Sequence, residues 1–329
     1  MIASCRRIVR WAPFSLLFVI IFVQNSKIII DNGSLTETQP MIDSTMVNTI
    51  KKLYLQNPDT RSYNLSSEPK AFTLDEQRIG AVTRGYIQLI FSKIMGGFYI
   101  EAGALDGEYL SNTLYLEYFQ NWTGILIEPN PGSYSNLVDK HRKAWLSNTC
   151  LSTTSKPKNI SMVSISSPKI FNNQYSTDQK LLLNGQTYEE KYNKYDTLLS
   201  HIDKSSFTRR TVTAACFPLE AYLIALNVTT VDLLSLDIQG GEFEVLKTIP
   251  WEMYHFRLIV VEDMNEDVNM ELIRFMKSKG FNLIDILVED YIFYNMSDVE
   301  MKSLVNMINI NKFQGVVSFS FNYKSIPKS

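Results

Sequence analysis

Phe98-Tyr99-Ile100-Glu101-Ala102-Gly103-Ala104-Leu105-Asp106-Gly107 is the stretch whose reading decides the fold. Phe98 to Ala102 is a short apolar run of the kind a buried strand needs, and it stops in a turn that carries Gly103 and Gly107. Ser111-Asn112-Thr113 then opens a helical stretch through Phe119, and Gly124-Ile125-Leu126-Ile127-Glu128-Pro129 is a second buried strand, ending in a carboxylate. Glycines at the first strand–helix turn let the backbone approach a ligand closely, and the helix behind them offers unpaired N–H groups. A carboxylate at the tip of the second strand can accept hydrogen bonds from both hydroxyls of a ribose. This order predicts a nucleoside pocket at the carboxyl edge of an open α/β sheet.

Outward from that core the pattern continues. Residues 73–95 have apolar positions at helical spacing (Ile79, Val82, Tyr86, Leu89, Ile90), and Gly96-Gly97 stops the run before the first strand. Pro131 to Arg142 predicts a crossover helix and Ala144 to Cys150 a third strand. Residues 152–211 are polar, with scattered aromatics and little periodicity, and predict a long insertion that is either a lid, a recognition surface or an exposed variable loop. Pro218 to Asn227 predicts a helix, Val231 to Ile238 a fourth strand with Asp237 near its end, and Glu242 to Ile249 a short helix after Gly240-Gly241. Phe256 to Val261 is near-continuously apolar, as a strand covered on both faces should be. A helix capped by Asn265 over Glu266–Lys279 follows, and then a final strand pair, Phe281–Val288 and Tyr291–Asn295.

The motifs Glu101-x-Gly103-Ala104-x-x-Gly107, Ile127-Glu128-Pro129-Asn130-Pro131 and Ser235-Leu236-Asp237-Ile238-Gln239-Gly240-Gly241-Glu242, in that order, resemble the FkbM-type family of S-adenosylmethionine-dependent methyltransferases. Glu101-Ala102-Gly103-Ala104-Leu105-Asp106-Gly107-Glu108, His141-Arg142-Lys143-Ala144-Trp145 and Cys150-Leu151-Ser152 are similar to the luminal domain of Star-type proteins, single-pass membrane proteins linked to export of growth-factor precursors. The resemblance implies a Rossmann-like class I methyltransferase fold, a mostly parallel sheet with helices on both faces and a final antiparallel strand pair. It also implies a cofactor site: Gly103, Ala104 and Gly107 as the loop against which S-adenosylmethionine lies, Glu101 at its acidic start, Glu128 at the ribose, and Asp237 near the transferred methyl, where it would be the catalytic base. The structural alternative for Asp237 is a carboxylate that accepts N–H bonds from Gly240 and Gly241 and fixes the turn. Gln239 stands where the family commonly has Glu, which puts catalysis more than fold in question; on this reading cofactor binding is a retained or a vestigial property.

Composition bounds the rest. The 329 residues are 45% hydrophobic and 20% charged, with a net charge of −2, enough for a sizeable core and without the basic face that nucleic-acid binding needs. Three histidines and no His/Cys cluster at ligand spacing predict no metal site. Arg6, Arg7 and Arg10 precede Trp11 to Val23, thirteen uncharged residues. This predicts a cytoplasmic tail at 1–7, a signal anchor at 8–30, a polar luminal stem at 31–70 and the methyltransferase-like domain at 71–329. A cleaved signal peptide is the alternative, although Gln24-Asn25-Ser26 lacks a small-x-small site. Either places the domain in the secretory pathway, and the anchor reading makes it a type II protein of the endoplasmic reticulum, Golgi or endosome membrane.

Cys150 and Cys216 stand at the two ends of the insertion, so a bridge between them would clamp that loop at its base, whereas Cys5 lies on the other side of the anchor. Two buried thiols that never meet are the alternative. Of six N-x-Ser/Thr triplets, Asn32, Asn64, Asn121, Asn159 and Asn227 fall in the stem, the insertion or between elements and predict glycosylation; Asn295 ends the final strand. Two functions compete. One is an escort for transmembrane or secreted cargo that keeps a methyltransferase fold for its surface, favoured by the Star-type wording and by the need to deliver cofactor across a membrane. The other is an active O-methyltransferase, favoured by the glycine loop and Glu128.

Overall fold

The computed structural model describes residues 42–72, 80–166, 187–189, 191, 208–263, 265, 267–287 and 289–313, together with the strand segments 21–23, 26–31 and 34–37. The chain divides into two compact units, residues 1–46 and 47–329. In the first, Ile21–Val23 (β1), Ser26–Asp31 (β2) and Ser34–Glu37 (β3) form an antiparallel sheet in the order β1-β2-β3. Among the described residues no helix is long and apolar enough to cross a membrane. The anchor expected at 8–30 therefore lies partly outside the described residues, and its carboxyl-terminal part is strand. Three consecutive isoleucines, Ile28 to Ile30, favour that pleated backbone because a side chain branched at Cβ is restricted in a helix. The cytoplasmic tail at 1–7 and Asn32 also lie outside the described residues.

Ser44–Thr49 (α1) runs on into a π-helical turn, Ile50–Tyr54, whose Ile50 is fully buried. From Val47 onward the segment expected as a free stem belongs to the larger unit. Its backbone lies along an edge of the main sheet: Gln56 and Leu146 exchange two hydrogen bonds at 2.9 and 3.0 Å, Asp59 donates to Arg142 and Asn64 to Lys140. Covering that edge removes a row of open N–H and C=O groups, which gives the polar stretch a structural role.

The remaining elements are Ala81–Ile90 (α2), Phe98–Ala102 (β4), Leu114–Gln120 (α3), Thr123–Ile127 (β5), Pro131–Asp139 (α4), Trp145–Ser147 (β6), Cys150–Leu151 (β7), Lys158–Ser166 (β8), Thr187–Glu189 (β9), Thr208–Phe217 (β10), Leu219–Leu226 (α5), Thr230–Leu236 (β11), Glu242–Lys247 (α6), His255–Glu262 (β12), Met270–Ser278 (α7), Phe281–Leu287 (β13), Asp290–Asn295 (β14) and Val299–Phe313 (α8). Seven strands form the main sheet in the order β13-β14-β12-β11-β4-β5-β6. β6, β5, β4, β11 and β12 are parallel, and β14 is antiparallel to both β12 and β13. The strand order reverses between β4 and β11, so the crevice at their carboxyl ends is the natural place for a ligand. Tyr99, Leu126, Leu233, Leu258 and Ile292 are buried in one core with α2 and α8.

Three expectations are revised by local chemistry. The third strand, read as Ala144–Cys150, is two strands: β6 stays in the main sheet, and Asn148, whose amide donates to the Glu128 carbonyl at 2.8 Å, turns the chain out into β7. The helix expected from Glu266 begins at Met270, because Asn269 caps it through Leu272 N at 2.9 Å while Asn265 is hydrogen-bonded to Asp263. The insertion is also less irregular than its polarity suggested, for its described parts join Cys150–Leu151 and the rest of β10 in a second sheet in the order β7-β10-β8-β9. β8 and β10 pair over nine positions from Lys158↔Cys216 to Ser166↔Thr208, which alternating side chains in Lys158 to Ser166 permit. Residues 167–186, 190 and 192–207 of the insertion, 73–79 of the first expected helix, and 314–329 lie outside the described residues.

Candidate functional site

β4, β5 and β11 each present a carboxylate at or just beyond their carboxyl ends, namely Glu101, Glu128 and Asp237, and the three line one cleft. It encloses about 1050 Å³, part of it open to solvent. One wall is the loop Gly103-Ala104-Leu105 with Ser111 and Asn112; the opposite wall comes from the second sheet through Leu151, Lys158, Ile160, Met162, Thr187 and Glu189. Lys158 is the one basic residue of that lining, and its ammonium donates to Thr153 Oγ1 at 2.8 Å.

Glu128 is buried, with Oε2 accepting from Leu105 N at 2.9 Å and Oε1 from Asn130 N at 2.7 Å. Burial pushes its carboxyl up to about 8, although both backbone N–H groups pull the other way. Leu105 has φ 50°, a left-handed conformation that turns its N–H toward the carboxylate at the tip of the neighbouring strand. Glu128 therefore lines the cleft from a fixed position, each of its oxygens already accepting one backbone N–H.

Glu101 is spent differently. Its carboxylate accepts from Ser111 Oγ at 2.8 Å, from Asn112 N at 2.8 Å and from the Thr113 hydroxyl, so it holds the turn that starts α3. Burial raises its proton affinity, opposed by nearby Arg142 and by these donors. Asn112 in turn donates to Ser235 Oγ at 3.0 Å, which ties that turn to β11.

Gly103, with φ 85°, follows β4, and a β-carbon there would lie 1.7 Å from the carbonyl oxygen of Asp237. Gly103 N donates to Ile127 O at 2.9 Å and Ala104 lines the cleft. Gly107 stands outside the lining; a β-carbon on it would meet Leu137 Cδ1 at 2.2 Å and Arg142 at 3.6 Å, so the core requires this glycine. Arg142 is fully buried beneath the loop, donating to the Gly107 carbonyl, to Glu117 at 3.0 Å, to Thr113 Oγ1 at 3.1 Å and to Tyr99 Oη at 3.3 Å. Only its place in His141-Arg142-Lys143 marked it in the sequence.

Asp237 lines the cleft, and Oδ1 accepts from Gln239 Nε2 at 2.5 Å. The same amide nitrogen donates to Glu262 Oε2 at 3.0 Å, and the two carboxyl groups hydrogen-bond to one another. Burial raises the proton affinity of both, and their mutual repulsion favours one proton held by the pair. The turn after β11 is fixed by a different residue: Glu242 Oε1 accepts from Ile238 N at 3.0 Å and Gly240 N at 2.9 Å. That leaves Asp237 to the cleft. Glu262 was missed in the sequence, yet its position at the end of β12 repeats the pattern of an apolar strand tipped by an acid. No group of three or more metal-ligating side chains occurs among the described residues.

Cys150 and Cys216 are bridged, across the register pair that joins β7 to β10, with a sequence separation of 66. Cys150 also lines the cleft, so the bridge lies in its wall. Asn130 binds the wall from the other side, donating to Ser164 Oγ at 2.6 Å and Thr187 Oγ1 at 2.8 Å while capping α4 through Gly132 N and Ser133 N.

The sequence profile of the methyltransferase FkbM domain matches residues 101–283, more than half of the chain and all of the cleft's strand tips. The chain belongs to the FkbM methyltransferase family. No curated protein matches the sequence. Among solved structures, the METTL16 MTase domain aligns over 82% of this chain and 87% of that one, at 9% identity and a TM-score of 0.35, too distant to bear on activity. Within the FkbM domain the second sheet, which builds the cleft's outer wall, lies inside the matched span.

Proposed function

We propose that the cleft of the FkbM domain binds S-adenosylmethionine, and the observation that carries this is Glu128, buried at the strand tip, lining the cleft and held there by two backbone N–H groups. The lining suits such a group. Glu128 would take the ribose hydroxyls, Leu105, Ile127, Leu151 and Met162 offer apolar surface for a base, and Lys158 is a counter-charge for an amino-acid carboxylate. When bound, the cofactor supplies an electrophilic methyl group on a sulfonium. Asp237 would accept the proton of an acceptor hydroxyl, and Gln239, whose amide donates to both Asp237 and Glu262, would orient it. Calorimetry of the purified protein with S-adenosylmethionine and S-adenosylhomocysteine tests this: saturable micromolar binding is expected, weakened about tenfold in Glu128→Ala through loss of the acceptor for the ribose hydroxyls. Absence of binding would sink it.

A second reading concerns place and partner. The Cys150–Cys216 bridge supports residence in an oxidising compartment. With the arginine-flanked apolar segment Trp11–Val23, it supports a type II, membrane-tethered protein whose domain is luminal and whose partners are transmembrane or secreted cargo, as in Star-type proteins. On this reading the fold serves as an escort, with cofactor binding vestigial. Cargo export in cells decides between the two roles: Asp237→Asn spares export if the domain is an escort and abolishes it if methylation is required.

A further inference from the structure

One helix end carries an aromatic surface that the cleft does not use. The last turn of α3 carries Tyr118 and Phe119, which are 46% and 51% exposed. Their rings are part of a continuous shelf: Phe119 lies 4.8 Å from Tyr115, 4.8 Å from Tyr118 and 5.0 Å from Phe72, and Tyr118 lies 5.0 Å from Tyr63. Exposed aromatic clusters of this kind mark surfaces that something covers. The next residue but one after Phe119 is Asn121, the first residue of Asn121-Trp122-Thr123. Asn121 caps α3 in the left-handed region at φ 56°, is exposed, and makes no side-chain hydrogen bond among the described residues. Thr123 is exposed as well, and Trp122 between them is buried, pinning the turn.

The other sequons differ. Asn64 Nδ2 donates to Asp139 O at 3.0 Å, and Asn295 Nδ2 donates to Phe256 O at 3.0 Å, so both amides already serve the fold. Asn159 and Asn227 are exposed without an aromatic two residues before them. We propose that Asn121 carries an N-linked glycan whose first N-acetylglucosamine lies on the exposed faces of Phe119 and Tyr118. A pyranose presents a face of C–H groups that packs on an aromatic ring, while its hydroxyls and acetamido group stay in water. The saccharide thereby covers apolar area that the helix end cannot bury. The inference rests on the luminal residence proposed above.

The test uses the full chain expressed in a eukaryotic secretory host, with site occupancy read by mass spectrometry and stability by Tm. Asn121 is expected to be occupied, and Asn121→Gln to lower Tm by about 2–4 °C, the shift that a contact worth one aromatic pair produces in a domain of this size. In a Phe119→Ser background the same Asn121→Gln change is expected to leave Tm unaltered, since the surface it covers is gone. Equal losses in both backgrounds overturn the proposal. So does a bare Asn121 beside occupied Asn159 or Asn227, a result that leaves luminal residence standing. Bare asparagines at every sequon overturn both.

Discussion

Gly103 and Asp237 are in backbone contact: the chain leaving β4 passes so close to the chain leaving β11 that a β-carbon on Gly103 would sit 1.7 Å from the Asp237 carbonyl oxygen. Asp237 N also donates to Ala102 O at 3.0 Å, extending the strand pairing to the lip of the cleft. Gly103→Ala must therefore push the two strand ends apart and strain a φ of 85°. A stability loss of about 2–5 kcal/mol is expected from strain and overpacking together. Gly96→Ala is the control, with φ 71° but open space around it, and should cost only about 1 kcal/mol. Equal losses for the two, measured by urea denaturation, would contradict the contact.

The buried carboxylates set the pH dependence of stability. Burial raises Glu128 to about 8, and Glu242 and Asp290 to about 7, from ordinary values of 4.5, 4.5 and 3.8. Between about pH 5 and 8 the unfolded chain has released protons that the folded one keeps. Stability is then highest below this window and falls as pH rises through it, by about 1.4 kcal/mol per pH unit for each such group. Glu108 and Asp298, shifted down, act in the opposite sense at more acidic pH. Glu242→Gln keeps an acceptor for Ile238 N and Gly240 N and should flatten the slope between pH 5 and 7. A slope unchanged in that variant would refute the assignment.

Arg142 and Glu117 form a fully buried ion pair under the glycine loop, at 3.0 Å. Burial opposes charge on Arg142, but Glu117, Tyr99 and Glu101 more than offset it, so the guanidinium stays charged. Arg142→Ala leaves Glu117 charged without its partner and the Gly107 carbonyl without its donor, a loss of about 3–5 kcal/mol. Chemical denaturation measures it; a loss below about 1 kcal/mol would show that the network is not structural.

The disulfide should matter to the cleft as well as to stability. The apolar cluster around it is small, with Met162, Ala214, Ile160 and Val212 as its other members, so the second sheet has little burial of its own. Opening a loop of 66 residues removes about 4 kcal/mol of denatured-state restriction. Reduction, or paired Cys150→Ser and Cys216→Ser changes, is expected to expose β8 and β10 to amide hydrogen exchange before the main sheet. Simultaneous exchange of both sheets would show that the bridge does not hold the wall.

Much of this was legible in the chain. Apolar runs located β4, β5, β11 and β12 to within a residue or two, with an acid noticed near the tips of the first three, because a strand buried on both faces leaves a continuous signature. The glycines after β4, the acid after β5, and the cysteines flanking the insertion were visible for the same reason: each is a local demand written at a fixed place. The reason for each glycine was not. Gly103 answers to a strand 134 positions later, and Gly107 to Leu137 and Arg142, contacts that exist only once the sheet is assembled.

Tertiary structure alone decided how the carboxylates divide their labour. Glu101 caps a turn, Glu242 fixes another, Glu128 lines the cleft, and Asp237 and Glu262 both accept from one amide of Gln239. In sequence all five are acids near glycines or strand tips. Their roles separate only through which donors lie within 3 Å and how much water reaches them, and both depend on neighbours brought from elsewhere in the chain. The polar insertion follows the same rule. Its composition left a lid, a recognition surface and an exposed loop open, and the pairing of β8 with β9 and β10 decided that its described part is a wall of the cleft.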